Sequence, residues 1–383
     1  MHIRGVARTD ARVMREATTL AEHHYAVTIV DVEDGRERPA VEEIAGVRIR
    51  HLIPIRSFIR TRFKMRMLAS SVYALLRSGA DVYHAHDLSA LPASYIASRL
   101  RRRPLIFDAH ELPLAGLKGT RWEPFSGLFK RALSHILPRC AGVITVSPYI
   151  GREIRTSYHS PVVTLVRNIP PYKKMVKTDR LPKRLGLGPE VRIALYQGNV
   201  QRDRNLEILV RAASFLEPDI VLVVMGRADE AVLAQLKGII EGEGLAERVR
   251  ILPAVPYKEL LEWTASADIG LVIISPEYSL NNRWCLPNKL FEYLMAGLPV
   301  LATSLDAVAD LLSQYGVGRI VASLVPSEIG AAINSMLADH ESLDHMRSRI
   351  GPAVEEDLNW EKEQDQLLHL YENVLPGSRR QDQ

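Results

Sequence analysis

Lys289 and Glu292 stand one helical turn apart in the stretch Leu286-Pro287-Asn288-Lys289-Leu290-Phe291-Glu292-Tyr293-Leu294-Met295-Ala296-Gly297-Leu298-Pro299-Val300. Its pattern predicts a helix from Asn288 to Ala296, closed by Gly297 and stopped by Pro299. Three-to-four-residue spacing puts Lys289, Glu292, Tyr293 and Ala296 on one face. Leu290, Phe291, Leu294 and Met295 then cover the opposite face, which suits burial against a sheet. A cation and a carboxylate one turn apart at a helix start can hold a phosphate and a sugar hydroxyl together. The helix N-terminus adds its own attraction for anions. On spacing alone, an ordinary surface Lys–Glu pair is the commoner explanation.

Further polar residues fall where strand-like runs end. Tyr196-Gln197-Gly198-Asn199-Val200-Gln201-Arg202-Asp203-Arg204-Asn205 follows one such run and leads into a helix. Gly198 permits close backbone approach there, and helix N-terminal amides could take up a diphosphate. Val82 to Asp87 and Phe107 to Leu112 carry His84, His86, His110 and Glu111 in similar positions. His84 and His86 read as half-buried strand residues with satisfied ring nitrogens.

The elements that would position these groups alternate short apolar runs with helical periods, as a parallel sheet with crossover helices does. The first half offers runs at 26–30, 47–53, 82–86, 105–108, 142–146 and 162–166. The second half offers 192–196, 220–225, 249–252, 269–274 and 299–302. A polar, Lys-rich stretch up to Lys183 reads as a linker. The expected class is therefore α/β, with two Rossmann-like doubly wound domains. They comprise residues 1–170 and 184–355, and 356–383 supplies an amphipathic C-terminal helix. Ligands in such sheets sit at strand carboxyl ends.

The segment from Pro287 to Val300 resembles the donor-binding segment of family 4 glycosyltransferases, retaining enzymes of GT-B fold that use nucleotide-sugars. The resemblance implies two Rossmann-like domains facing across a cleft, with the last helix crossing back to the first. It also implies that Glu292 contacts the ribose hydroxyls and Lys289 the phosphates, with Asn288 at the helix start beside them. The loop after Tyr196 is similar to the family's Gly-Arg…Lys-Gly loop. Gly198 matches there and Arg204 stands at the Lys position. Asn199 replaces the first Arg and Asn205 the second Gly. Leu252 to Tyr257 matches the loop lying against the nucleobase, which nominates Val255. Eight residues before Glu292, where the family often has a sugar-facing Glu, this chain has Trp284. That role then falls to Asn281 or Asn282, or the sugar stacks near Trp284. His110-Glu111 looks like the His-Glu pair of this subgroup and is the catalytic nomination on the first domain. Relatives have a full strand before the helix that Asp10 would cap. Only nine residues precede Asp10 here, so either that strand is degenerate or the start lies too far downstream.

Composition narrows the alternatives. The chain has 383 residues, 47% hydrophobic and 25% charged, with a net charge of +4, as expected of a globular protein of two domains. Cys140 and Cys285 show no metal-ligand spacing and exclude a disulfide framework, and no His pair fits a zinc protease. No Asp-x-Asp stands out, and the family works without a metal, so no metal or cofactor is expected beyond the donor itself. No apolar run is long enough to span a membrane and the N-terminus lacks a signal core, which reads as cytoplasmic. Residues 55–76 carry Arg56, Arg60, Arg62, Lys64 and Arg66 among apolar residues, with no acid. This stretch fits either an anionic membrane surface or a core-packed helix with a solvated basic face. Nucleic acid is disfavoured because aromatics do not interleave with the basic residues. The expected function is transfer of a sugar from a nucleotide-sugar to a glycan or lipid-linked acceptor. The alternatives are a non-catalytic nucleotide-sugar-binding partner subunit and a sugar-nucleotide epimerase of the same fold.

Overall fold

The computed structural model describes residues 1–32, 39–52, 60–117, 119–120 and 123–375. Part of the basic stretch, residues 55–59 and the side chains to residue 64, lies outside the described residues. The chain forms two compact units, Met1–Arg167 with Glu363–Gln383, and Asn168–Lys362.

In the first unit, one sheet orders β1 (Thr28–Val32), β3 (Val47–Leu52) and β2 (Val41–Ile44). A second orders β4 (Tyr83–His86), β5 (Leu105–Ala109), β6 (Gly142–Thr145) and β7 (Val163–Leu165). The two are joined by the chain's first residues. His2 bridges in parallel to Val30 and to Ala85, and its amide donates to the His84 carbonyl at 2.7 Å. His2 thus stands between the two sheets, with a single bridge to each. β2 was not anticipated. Its sequence Val41-Glu-Glu-Ile has two acids at its centre, and it pairs antiparallel with β3 through a turn in which Ala45 and Gly46 both have positive φ. The helix Trp360–Val374 buries Leu367, Leu368, Leu370 and Tyr371. Gly142 makes room for it, since a Cβ there would lie 2.6 Å from Leu370 Cδ1.

The second unit holds six parallel strands in the order β10 (Val249–Leu252), β9 (Ile220–Met225), β8 (Arg192–Gln197), β11 (Ile269–Val272), β12 (Val300–Thr303) and β13 (Gly318–Val321). β9 reads Ile-Val-Leu-Val-Val-Met and every side chain is buried, the pattern of a strand covered on both faces. Each such aliphatic side chain contributes about 1.5–3 kcal/mol. β13 is missed by sequence reasoning because it is a half-exposed edge strand of mixed polarity, Gly-Arg-Ile-Val. Strand order reverses between β8 and β11, which opens a crevice at their carboxyl ends.

Two expectations change. The Lys-rich stretch before Lys183 is no free linker. Thr178 donates to the Glu262 and Ala265 carbonyls, Lys173 pairs with Glu262, and Arg180 pairs with Glu259 and Glu262. Tyr293, placed on the polar face with Lys289, is instead fully buried. Its ring lies where a Cβ on Gly270 would be, 2.3 Å from the ring Cγ. Its hydroxyl accepts from the Gln197 amide at 2.8 Å and donates to the Leu271 carbonyl at 3.3 Å, clamping the helix across the β8–β11 junction. Gly270→Ala therefore forces a pinned aromatic ring aside. It is expected to destabilise the second unit by about 1–3 kcal/mol, read as a lowered urea midpoint of that unit.

Candidate active site

The helix Asn288–Met295 begins at the crevice of the second unit with Pro287 as N-cap and no side-chain capping bond, so its first amides are not capped by side chains. Asn288, at the first helical position, is exposed and accepts from Asn168 Nδ2 at 2.9 Å. Lys289 reaches over β8, with Nζ 3.6 Å from the centroid of the Tyr196 ring. It also lies against Gly198, where a Cβ would come within 3.2 Å of Nζ. Removal from water, and then the nearby Arg204 charge, lower its pKa from 10.5 to about 7, against the pull of Glu292. Glu292, one turn on, accepts from Gln197 Nε2 at 2.6 Å.

Gly198 adopts φ +129, a conformation that suits glycine, and its carbonyl passes 1.8 Å from where a Gly226 Cβ would stand. Arg204 ends a short 3-10 turn, Arg202–Arg204. Asn205, standing where the resemblance has Gly, is left-handed at φ +53, a conformation that Asn tolerates better than most residues. The helix after it, Leu206–Ala212, is only two turns long, so the diphosphate expectation rests on Lys289, Arg204 and the Asn288 helix. Asn199 is exposed, and its carbonyl accepts from the Tyr196 hydroxyl at 2.9 Å.

Val255 lies half-buried in the loop after β10, and Asn282 lies in the helix Leu280–Trp284, capped by Ser279. The Trp284 indole N–H is directed to Asp306 at 3.2 Å, shared with Arg283. Its edge is therefore held by the chain itself.

The first unit gathers a charged cluster at the carboxyl ends of β4 and β5. Arg12, Glu16, His84, His86 and Asp108 are all buried. Arg12 grips Asp108 with two parallel bonds, Nε to Oδ2 at 2.9 Å and Nη2 to Oδ1 at 2.8 Å. It also donates to the Val166 carbonyl and lies 3.1 Å from Glu16. His110 Nε2–H donates to the same Asp108 at 2.8 Å, and its Nδ1 faces Asp87 at 3.3 Å. Burial alone would raise the Asp108 pKa, yet Arg12 and His110 hold it well below the usual carboxylate range. Burial opposes charge on His110, but Asp108 overcomes this and raises its pKa to about 9. Glu16 goes the other way, pushed up to about 8 by burial and by Asp108. Asp87 opens the helix Asp87–Arg101 at φ +63, a backbone strain of the kind found beside functional groups.

The reading of His84 and His86 as half-buried residues with satisfied nitrogens needs correction. Both are fully buried and stacked at 4.3 Å. Nδ1 bonds to Tyr371 in His84 and to Asp108 in His86, while neither Nε2 has a hydrogen-bond partner among the described residues, that of His84 lying 3.9 Å from Glu16 Oε2. Burial holds both neutral, His86 near 4. Glu16, His84, His86 and Asp108 could together face a cation, but the Arg12 guanidinium already lies between the two carboxylates. Glu111 is exposed beside His110. Sequence reasoning missed Arg12, Glu16 and Asp108, since Arg12 and Glu16 look like the polar side of an ordinary amphipathic helix.

The profile described as Glycosyltransferase Family 4 matches residues 9–169, and that of Glycosyl transferases group 1 matches 177–351. The chain belongs to glycosyltransferase family 4. It is similar to a D-inositol 3-phosphate glycosyltransferase of Paenarthrobacter aurescens, 25% identical over 78% of this chain and 74% of that one. One from Geodermatophilus obscurus is also 25% identical, over 96% and 86%. Among solved structures, sucrose-phosphate synthase of Thermosynechococcus elongatus shares the fold at TM-score 0.78 and 18% identity, covering 95% of this chain and 92% of that one. HepE of Anabaena, in complex with UDP and glucose, does so at 0.72 and 17%, covering 97% and 99%. The chain is thus a GT-B glycosyltransferase, and among its described residues no helix is long and apolar enough to cross a membrane.

The charged cluster of this glycosyltransferase predicts a pH signature. Folded His110 keeps its proton to about 9 whereas the unfolded side chain releases it near 6.5, so its stabilisation is full below 6.5 and is lost as pH rises through 9. Glu16 has the same sign, its contribution falling between 4.5 and 8. The urea midpoint of the first unit should therefore decline from pH 7 to 9, and less steeply in His110→Gln. An unchanged slope in the variant would remove His110 as a proton holder.

Proposed function

We propose that this family 4 enzyme is a retaining, metal-independent glycosyltransferase that uses a nucleoside-diphosphate sugar. The observation that carries the reading is the pairing, at one sheet switch point, of two mutually repelling cations with a carboxylate held at 2.6 Å by an amide. Lys289 and Arg204 suit a diphosphate, and Glu292 suits the ribose hydroxyls. Val255 would lie against the base, Asn282 would face the sugar, and Gly198, Asn199 and Asn288 would line the phosphates. A UDP-linked donor is favoured by HepE, whose solved complexes contain UDP. The acceptor hydroxyl attacks the anomeric carbon as its bond to the diphosphate breaks, and the hydroxyl proton passes to a diphosphate oxygen. Charge grows on the leaving diphosphate, where the two cations supply the compensation a metal would otherwise give. No enzyme nucleophile is required.

His110, a cation at neutral pH, would bind on the acceptor side with exposed Glu111 beside it. The acceptor class is a glycan or lipid-linked glycan. A phosphorylated polyol is the second reading, favoured by the printed names of the relatives and by the cationic His110. Exposed Met65, Leu68 and Leu100 among Arg66, Arg99 and Arg102 suit residence at an anionic membrane surface, reached as a peripheral protein.

Calorimetry with UDP, GDP and ADP, followed by turnover with the matching sugar donors, tests the proposal. Micromolar binding of one nucleotide, lost in Glu292→Ala, is expected. Lys289→Ala should lower turnover on the order of a hundredfold, the usual cost of one preorganised charge donor. Wild-type protein that binds none of the three would sink the donor-site assignment.

A further inference from the structure

The last two residues of β8 are spent on the two residues that define the donor helix. Tyr196 is 1% exposed and Gln197 2%, and neither can reach far into solvent to bind a ligand. Tyr196 lays its ring under the Lys289 ammonium and uses its hydroxyl on the Asn199 carbonyl. Gln197 donates through Nε2 to Glu292 and accepts through Oε1 from Thr264, whose hydroxyl lies 2.6 Å away and is shared with the Leu260 carbonyl at 2.7 Å. Flipping the amide would set Oε1 against the Glu292 carboxylate, which only accepts, so the bond to Glu292 fixes its orientation. The Gln197 backbone amide is in turn held by Tyr293 of the same helix. Lys289 and Glu292 are one turn apart on the helix, while Tyr196 and Gln197 are adjacent on a strand and point to opposite faces.

We infer that Tyr196 and Gln197 are positioning residues of the donor site, Tyr196 holding Lys289 for the diphosphate and Gln197 with Thr264 orienting Glu292 for the ribose. The inference rests on the donor-site reading above. It divides the site into two separately supported halves. The aromatic face attracts the ammonium without neutralising it, as an adjacent carboxylate would, so the cation remains available to an arriving anion. Burial and the Arg204 charge lower the Lys289 pKa to about 7, and an arriving diphosphate would favour its charged form again. Gln197 holds one Glu292 oxygen with an uncharged donor and leaves the carboxylate its charge for the sugar hydroxyls.

The test measures binding of inorganic pyrophosphate and of UDP, GDP and ADP to full-length wild type, Tyr196→Phe, Tyr196→Leu, Gln197→Ala and Thr264→Val. Circular dichroism confirms that each variant is folded. Tyr196→Phe keeps the ring and should bind both ligand types within about threefold of wild type, while Tyr196→Leu should weaken both by about tenfold. Gln197→Ala should weaken the nucleotide about tenfold but leave pyrophosphate within about twofold, and Thr264→Val should repeat that pattern more mildly. Should Tyr196→Leu fail to fold, the Gln197 and Thr264 variants still decide the ribose half, and Tyr196→Met, which fills the space without a ring, replaces it. Equal losses for nucleotide and pyrophosphate in Gln197→Ala, or unchanged pyrophosphate affinity in Tyr196→Leu, would overturn the inference while wild-type nucleotide binding stands. Wild type that binds neither ligand type would instead overturn the donor-site reading, and the inference with it.

Discussion

The Tyr293 hydroxyl is the joint on which the second unit's chemistry depends. It satisfies the Gln197 amide and the Leu271 carbonyl at once, where β8 and β11 part and ladder partners run out. A buried amide left without a partner there costs about 1–3 kcal/mol, so the helix carrying Tyr293 cannot drift without penalty. Gly270 removes the side chain that would block the ring. Lys289 and Glu292 inherit their positions from this one fixed point, because they ride on the same rigid helix.

The first unit obeys a different constraint. Burying Asp108 is tolerable only because Arg12 meets it with two parallel charge-assisted bonds and His110 with a third. Arg12 comes from the first helix and Asp108 from the end of β5, so the ion pair fastens an early element to the centre of the sheet. The cluster's proton-carrying member His110 is only partly exposed and stands between Asp108 and Asp87. Glu16, which would otherwise neutralise Arg12, is driven toward its protonated form by burial and by Asp108 itself. The two units thus present cations at strand carboxyl ends by unlike means, desolvated lysine on an aromatic ring in one and a carboxylate-supported imidazolium in the other.

The strands β8, β9, β10, β11 and β12 were legible because each is a short apolar run ended by a polar or turn residue, a local pattern. β2 and β13 were not, since an edge strand needs no continuous apolar run and their mixed polar residues read as loop. The helix Asn288–Met295 and its Gly297 stop were likewise legible, but Tyr293 was misassigned. Periodicity places it with Lys289 and Glu292, and only the missing side chain of Gly270 shows that the sheet takes it in.

By itself the sequence determined the alternation of strands and helices, the Lys289–Glu292 spacing and the loop around Gly198, all of them encoded within a few turns of chain. Tertiary structure alone decided which groups share a charge. Arg12 meets Asp108 across 96 residues and Gln197 meets Glu292 across 95. Such pairs leave no period in the sequence, because their spacing is set by sheet order and strand register rather than by the geometry of one helix or strand. The same holds for the proton on His110 and the lowered pKa of Lys289. Both depend on burial and on neighbours brought in by the fold, and side-chain identity alone carries neither.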